Sequence, residues 1–140
     1  PKILEYNCRF GDPETQGVLP RLKTDLVDII EAVIDGRLNE INIEWSEMSA
    51  SCVIIASGGY PGKFEKDIKI EGLDKIPDDV LVFHSGTSAR GEDIFTDGGR
   101  VLGITALGND VCGASNKAYD ALNNINFEGM HYRRDIGRCR

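Results

Sequence analysis

The most chemically suggestive stretch of this sequence lies near its start, where Glu5, Asn7 and Arg9 recur at every second position. In a β-strand, alternate residues project from one face, and two residues span roughly 6–7 Å. A carboxylate and an amide oxygen suit Mg²⁺, which takes one or two carboxylates together with nucleotide phosphates. Arg9 adds a planar fork for a phosphate or a carboxylate. The spacing indicates either a phosphate-linked metal site or an exposed polar strand face.

The end of the chain carries a second candidate group, formed by Arg133 and Arg134. Four of the 16 basic residues fall within the last eight positions. Adjacent arginines after a short strand can bind a ribose 5-phosphate group, because each guanidinium presents several donors to phosphate oxygens. We take this pair as candidate substrate-binding residues, with a solvated basic tail as the alternative.

The elements that must position these groups follow from periodicity. Alternation predicts a strand from Lys2 to Arg9, and an i, i+3, i+4 repeat predicts a helix through residues 26–34. Thr24 is a plausible N-cap for this helix and Gly36 is well placed to end it. Beyond Asn39, period-two patterns and turn glycines predominate. The other predicted elements are strands at 51–56, 67–70, 80–84, 87–89, 94–96, 100–106 and 130–134 and a helix at 110–124.

Composition narrows the possible partners of the chain. The formal charge is 16 − 23 = −7, which argues against broad nucleic-acid binding, because such binding needs a basic face. No apolar stretch approaches the roughly 20 residues of a membrane span. The four cysteines lie far apart and form no C-x-x-C pair, so reduced thiols in a cytoplasmic protein are expected rather than a zinc site or disulfides. These cysteines are Cys8, Cys52, Cys112 and Cys139.

Several longer motifs carry a family resemblance. The run from Glu5 to Gln16, Glu-Tyr-Asn-Cys-Arg-Phe-Gly-Asp-Pro-Glu-Thr-Gln, resembles the end of the ATP-grasp catalytic domain in phosphoribosylamine–glycine ligases, also called glycinamide ribonucleotide synthetases. The resemblance continues in family order through essentially the whole chain. Its further segments are 19–23, 56–62 (Ala-Ser-Gly-Gly-Tyr-Pro-Gly), 82–87 (Val-Phe-His-Ser-Gly-Thr), 98–102 (Gly-Gly-Arg-Val-Leu) and 132–137 (Tyr-Arg-Arg-Asp-Ile-Gly).

The resemblance implies roles for individual residues. Glu5 and Asn7 are then ligands of Mg²⁺ (or Mn²⁺) under the phosphates of the co-substrate ATP. Arg9 is implied to lie near the phosphoryl or acyl-phosphate oxygens, and Asp12 beside the substrates, so these two are the candidate catalytic residues. The implied reaction joins glycine to 5-phosphoribosylamine through glycyl phosphate, giving glycinamide ribonucleotide in purine biosynthesis.

The same resemblance sets the expected architecture, an α+β fold in two parts. Residues 1–40 are expected to supply the last strand and helix of an ATP-grasp domain. Residues 41–140 are expected to form a small, mainly antiparallel β domain with one main helix. Since the chain starts at Pro1 inside a strand-like run, we expect upstream ATP-grasp and N-terminal domains. The isolated chain is then expected to be inactive and to self-associate.

Two other functions remain open from the sequence, namely a stand-alone phosphosugar-binding module and a module that packs between domains. Two local features also have alternative interpretations. The Ser57–Tyr60 glycine loop follows an apolar strand and is either a tight turn or a ligand contact. His84, at the end of another predicted strand, is either a hydrogen-bonded structural residue or part of a site.

Overall fold

The computed structural model describes residues 2–138 of the chain. Within this range the backbone forms three α-helices and seven strands, together with three short 3₁₀ turns. The helices are α1 (Thr15–Val18), α2 (Leu26–Ile34) and α3 (Val111–Leu122); the strands are β1 (Ser49–Ala56), β2 (Lys69–Ile70), β3 (Val80–His84), β4 (Thr87–Arg90), β5 (Asp93–Thr96), β6 (Arg100–Gly108) and β7 (His131–Tyr132). The predicted α+β class is confirmed.

The strands form two antiparallel sheets. The four-stranded sheet has the order β3-β6-β1-β7, and the three-stranded sheet has the order β2-β5-β4. The longest ladder joins β1 to β6, from Ser49 opposite Gly108 to Ala56 opposite Arg100. The predicted hairpin is confirmed as β4 and β5, and Gly91 adopts a positive φ of 64° in its turn. The sheets thus bring residues far apart in sequence, such as 49 and 108, side by side.

The core lies between the four-stranded sheet and α3. Alternate residues of β1, Val53 and Ile55, point into this core, whereas all of residues 101–106 in β6 are buried. This strand is buried on both sides because α3 covers one face of the sheet and α1 contacts β1 and β6 on the other. Asp110 caps α3 by accepting a 2.7 Å hydrogen bond from the Gly113 amide. α1, which no periodicity had indicated, therefore covers part of the second face.

α2 is the predicted amphipathic helix, but residues 2–138 leave much of its apolar surface exposed. Asp25, rather than Thr24, is its N-cap and accepts a 2.7 Å hydrogen bond from the Val27 amide. Gly36 ends the helix in the left-handed region, at φ 71°. The only buried residue of the helix is Ala32. Its exposed apolar residues are Val27, Ile30, Val33 and Ile34.

Backbone hydrogen bonds join the two ends of the segment that carries α2. The Lys23 amide donates to the Glu44 carbonyl at 3.0 Å, and the Ser46 amide donates to the Arg21 carbonyl at 2.7 Å. Thr24, which was predicted to cap the helix, takes part in the same contact, since its hydroxyl accepts a 2.7 Å hydrogen bond from the Glu44 amide. These bonds cross the predicted boundary between residues 1–40 and 41–140.

The predicted strand from Lys2 to Arg9 is not formed. Residues 2–8 have no regular secondary structure, and their side chains are exposed. A strand needs a neighbour for its N–H and C=O groups, and no segment among residues 2–138 pairs with this one. The polar and apolar residues of this segment thus alternate as in a strand, but the segment has no neighbouring strand to pair with among residues 2–138.

The cysteines differ in part from expectation. Cys8 and Cys52 are free thiols, whereas Cys112 is disulfide-bonded, so the prediction of reduced thiols is wrong for Cys112. Cys139 lies outside the described residues. Burial raises the pKa of the Cys52 thiol. None of the helices between residues 2 and 138 has both the length and the apolar character that crossing a bilayer requires.

Candidate functional site

Glu5 and Asn7, the predicted metal ligands, lie side by side near the start of the chain. The Asn7 amide nitrogen donates a 3.0 Å hydrogen bond to Glu5 Oε1, and both side chains are exposed. The pair therefore places a carboxylate and an amide together, which is a donor set that suits Mg²⁺. Residues 2–138 contain no cluster of three or more His, Cys, Asp or Glu side chains suited to a metal ion. A cation here would need further oxygens from another molecule.

Arg9 and Glu14 fold over the backbone of Gly11. A Cβ atom on Gly11 would lie 2.6 Å from Arg9 Nη1 and 2.7 Å from Glu14 Oε1. Glycine is required at this position if both charged groups are to approach the backbone so closely. The candidate Arg9 guanidinium therefore lies beside Gly11, the residue that precedes Asp12.

Asp12 is bonded both to its own loop and to the four-stranded sheet. Its Oδ1 accepts a 2.8 Å hydrogen bond from Gln16 Nε2, and its Oδ2 lies 3.1 Å from Arg100 Nη2. The Asp12 carbonyl also accepts a 2.9 Å hydrogen bond from Arg100 Nη1. Arg100 is the first residue of β6, so these bonds attach the N-terminal loop to the four-stranded sheet.

The Ser57–Tyr60 loop is a turn that supports the start of β6. The Tyr60 amide donates to the Ser57 carbonyl at 3.1 Å, which closes the turn. The fully buried Ser57 hydroxyl donates to the Gly98 carbonyl at 2.8 Å, and the Ser57 amide donates to the Gly99 carbonyl at 2.9 Å. The structure therefore agrees with the interpretation of this loop as a turn, although Tyr60 also faces the cleft described next.

A cleft of about 330 Å³ opens beside Arg100 on the face of the sheet opposite α3. Its surface is mostly apolar, and several basic side chains line it. The apolar residues include Ile54, Ala56 and Ile136, and the basic ones are Arg100, His131 and Arg133. Such a combination suits an organic molecule that carries a phosphate, because the basic groups can bind the anion while the apolar surface packs against the remainder.

The two candidate arginines at the end of the chain do not converge on one ligand. Arg133 lines the cleft, and its guanidinium makes two hydrogen bonds to Asp135, at 2.9 and 2.8 Å. This pairing raises the pKa of Arg133 and lowers the pKa of Asp135. Arg134 instead lies over the Tyr132 ring, 5.9 Å from its centroid, and is not among the cleft residues. Of these two arginines, Arg133 is therefore the one that lines the cleft.

His84 lies on a second groove, on the other side of the N-terminal loop. Phe10, Asp12 and Gln16 also line this groove. The His84 Nδ1 atom lies 3.1 Å from the Thr87 hydroxyl, which agrees with the interpretation of a hydrogen-bonded structural histidine. Asp12 thus stands between the groove and the cleft.

Sequence reasoning missed Arg100, Tyr60 and His131 as cleft residues. Arg100 follows two glycines in the Gly98–Leu102 motif, and that glycine pair was the available signal. A Cβ on Gly99 would come within 2.2 Å of the Tyr60 ring, so this glycine is needed for Tyr60 to pack against the backbone. His131 carries no comparable signal, since it precedes the tyrosine of an ordinary short strand.

The two antiparallel sheets, the single long helix and the attached loop place the chain in the class of small α+β domains. A family model described as phosphoribosylglycinamide synthetase, C domain, matches residues 50–139. The chain belongs to this family.

Similar proteins extend the match beyond residues 50–139. The chain is 50% identical to phosphoribosylamine–glycine ligase of Caldanaerobacter subterraneus over 97% of its own length and 32% of the relative's. It is 49% identical to that of Synechocystis sp., over 97% of this chain and 33% of the relative. The crystal structure of phosphoribosylamine–glycine ligase from Thermotoga maritima matches with a TM-score of 0.74 at 34% identity, covering 96% of this chain and 33% of that one. The chain spans about a third of the length of these relatives.

Proposed function

We propose that the chain is the C-terminal third of a cytoplasmic phosphoribosylamine–glycine ligase, which joins glycine to 5-phosphoribosylamine with cleavage of ATP. One observation carries the proposal beyond family membership. The Asp12–Arg100 contact attaches the loop with the candidate phosphoryl-transfer residues to a cleft with basic and apolar surfaces. A reaction between an activated glycine and a phosphorylated sugar amine requires these two kinds of site to be neighbours.

The loop has the donor set for phosphoryl transfer, which depends mainly on positioning and charge neutralisation. Glu5 and Asn7 would hold Mg²⁺ or Mn²⁺, which when bound neutralises charge on the ATP phosphates. Arg9 would stabilise negative charge on the group being transferred to the glycine carboxylate. Asp12, fixed by Gln16 and Arg100, would keep this loop beside the substrates.

The cleft would hold the phosphoribosyl part of 5-phosphoribosylamine. Arg133 carries its charge into the cleft, and the apolar surface of Ile54 and Ala56 can pack against the sugar. The bond between Arg133 and Asp135 is exposed, so a phosphate can compete with the carboxylate for the guanidinium. The amino group of the sugar would then attack the acyl carbon of glycyl phosphate, with release of inorganic phosphate.

The direct test is an assay of the full-length ligase that contains this chain. Purified enzyme is incubated with ATP, Mg²⁺, glycine and freshly generated 5-phosphoribosylamine, and glycinamide ribonucleotide and ADP are quantified by mass spectrometry. We expect equal amounts of the two products and no turnover when glycine is omitted. Formation of ADP without glycinamide ribonucleotide would exclude the proposed reaction.

For the cleft, we expect Arg133→Ala to raise the KM for 5-phosphoribosylamine by about ten-fold in that assay and to change kcat little. A hydrogen bond to a charged group contributes about 1.5–3 kcal/mol, and exposure and competition from Asp135 place this one at the lower end. Arg134→Ala is the matched control, because this side chain lies over Tyr132 outside the cleft. An equal rise in KM for both variants would contradict the proposal that Arg133 in the cleft binds the phosphate of 5-phosphoribosylamine.

We further infer that upstream ATP-grasp and N-terminal domains cover the exposed apolar residues of α2 and of the first ten residues. Leu4 is 96% exposed and Ile34 is 77% exposed, and large apolar patches of this kind favour association. The net charge of −7 opposes association only weakly, because salt screens surface charges beyond about 8 Å.

The isolated 140-residue chain is therefore expected to self-associate as its concentration rises into the micromolar range. Sedimentation velocity at several concentrations measures this directly. Val33→Glu on α2 should weaken the association, whereas Val111→Glu should not, because Val111 is an exposed residue of a different helix, at the start of α3. A chain that stays monomeric at high micromolar concentration would refute the prediction.

A stand-alone phosphosugar-binding module is a second candidate, since the cleft lies wholly within residues 13–136. The distinguishing measurement is calorimetric titration of the isolated chain with ribose 5-phosphate. Saturable binding at micromolar ligand would support the module, and its absence would favour a cleft completed by the upstream domains.

A further inference from the structure

Arg100 makes an unusually long connection in sequence. Its guanidinium reaches a residue 88 positions earlier, Asp12, and bonds to two different parts of it. Nη1 donates to the Asp12 carbonyl at 2.9 Å, and Nη2 lies 3.1 Å from the carboxylate oxygen Oδ2. Because the guanidinium is planar and rigid, two such bonds fix both the position and the orientation of the bonded residue.

The backbone that carries Arg100 is firmly built into the sheet. Its carbonyl accepts a 2.9 Å hydrogen bond from the Gly86 amide, and the preceding Gly98 and Gly99 carbonyls are bonded by Ser57. A Cβ on Gly86 would lie 2.5 Å from the Gly98 Cα, so the two backbones touch. The start of β6 therefore has little freedom to move, and it provides a fixed point for the Arg100 side chain.

The segment that Arg100 holds behaves as one unit. Gln16 bonds to the other carboxylate oxygen of Asp12, and the Thr15 amide and hydroxyl bond to the Gly11 carbonyl at 2.9 and 2.6 Å. Arg9 lies over the Cα of Gly11. A shift of Asp12 relative to the sheet therefore also shifts Gly11 and Thr15, and with Gly11 it changes the backbone beside which the Arg9 guanidinium lies.

We propose that Arg100 is a positioning residue for the ligase reaction. Its guanidinium holds the Asp12 loop, and through that loop Arg9, at a fixed place beside the cleft that Arg100 itself lines. The inference rests on the proposed function, and it adds a residue whose role is to align the phosphoryl-transfer loop with the bound phosphosugar.

The expected effect of removing this guanidinium is on catalysis rather than on folding. Both partners are about 40% exposed, and ion pairs at the surface contribute little to stability. Displacement of reacting groups by about 1 Å can lower a rate by about 100-fold. In the full-length ligase, Arg100→Ala should therefore lower kcat by roughly 10- to 100-fold, with the KM for 5-phosphoribosylamine within about three-fold of wild type.

A double-mutant cycle separates positioning from direct substrate binding. Asp12→Ala removes the carboxylate partner, so adding Arg100→Ala should then lower kcat by less than it does in the wild-type enzyme. Arg100→Lys should recover little of the lost kcat, because one ammonium group cannot bond to the carbonyl and the carboxylate in the same geometry. Arg90→Ala is the control, since it removes an arginine–aspartate pair, with Asp67, on the other sheet. A large rise in KM at unchanged kcat, or fully additive effects, would overturn the inference.

Hydrogen–deuterium exchange tests the same contact without any assay of activity. In the full-length protein, Arg100→Ala should speed exchange of the Thr15 and Val18 amides, whose bonds lie within the held loop, and Arg90→Ala should not. If the wild-type enzyme makes no glycinamide ribonucleotide, the proposed function fails while this measurement still stands. Unchanged exchange in Arg100→Ala would show that the guanidinium does not hold the loop.

Discussion

Replacing Glu5 or Asn7 by alanine in the full-length ligase is expected to remove most of its activity, with kcat lower by roughly 100- to 1,000-fold. The reason is the pairing of a carboxylate with an amide at the start of the chain, joined by the 3.0 Å hydrogen bond between them. If the two side chains hold the cation on the ATP phosphates, the loss of either one removes an oxygen ligand from the ion. Folding should be unaffected, because both side chains are exposed.

Steady-state kinetics across a Mg²⁺ titration provides the measurement. For both variants the half-saturating Mg²⁺ concentration should rise, and excess Mg²⁺ should restore part of the lost rate. Glu47→Ala is a suitable control, because it removes an exposed carboxylate from the segment before β1. Turnover near that of the wild type at low Mg²⁺ would remove Glu5 and Asn7 from the metal site.

The isolated 140-residue chain is expected to show no ligase turnover and no saturable ATP binding at micromolar ligand. Phosphoryl transfer needs a cradle of backbone amides or a covering loop around the phosphates. Within residues 2–138, the Ser57–Tyr60 loop and the Gly98–Gly99 turn are glycine-rich segments that follow strands, and they bond to each other through the Ser57 hydroxyl and amide. Glu5, Asn7 and Arg9 then lack a bound nucleotide on which to act.

Isothermal titration calorimetry with ATP and Mg²⁺ tests the binding, and the product assay tests the turnover. The full-length ligase under identical conditions is the positive control and should give a saturable isotherm. A micromolar isotherm from the isolated chain alone would mean that these 140 residues contain a complete nucleotide site, contrary to the proposal.

Local periodicity predicted the elements whose formation depends mainly on their own residues. The observed bounds lie within a few residues of the predicted ones for α2, α3, β3 and the β4–β5 hairpin. In each of them one face is apolar, and this face repeats every 3.6 residues in a helix and every 2 residues in a strand. The strand predicted at residues 2–9 shows the limit of this reasoning. Its alternation is real, but a strand also requires a neighbour, which is a property of the surroundings and not of the segment itself.

The candidate site was predictable in residue type but not in arrangement. The motif around Asp12 pointed to the N-terminal loop, whereas its connection to Arg100 spans 88 positions and has no local signature. The pairing of Arg133 with Asp135 and the stacking of Arg134 on Tyr132 likewise depend on side-chain directions that composition cannot supply. Cys112 is a further example, since its bonded state depends on which residues the fold brings near it.

The hydrogen bond between the Lys23 amide and the Glu44 carbonyl affects how the segment that carries α2 can move. Backbone bonds at the base make residues 25–43 a loop whose two ends are fixed to each other. Such a segment can open and close as a cooperative unit of its own, while the sheets keep their registers. The apolar face of α2 can therefore change its exposure as this unit opens, and the hydrogen bond between Lys23 and Glu44 marks where that motion ends.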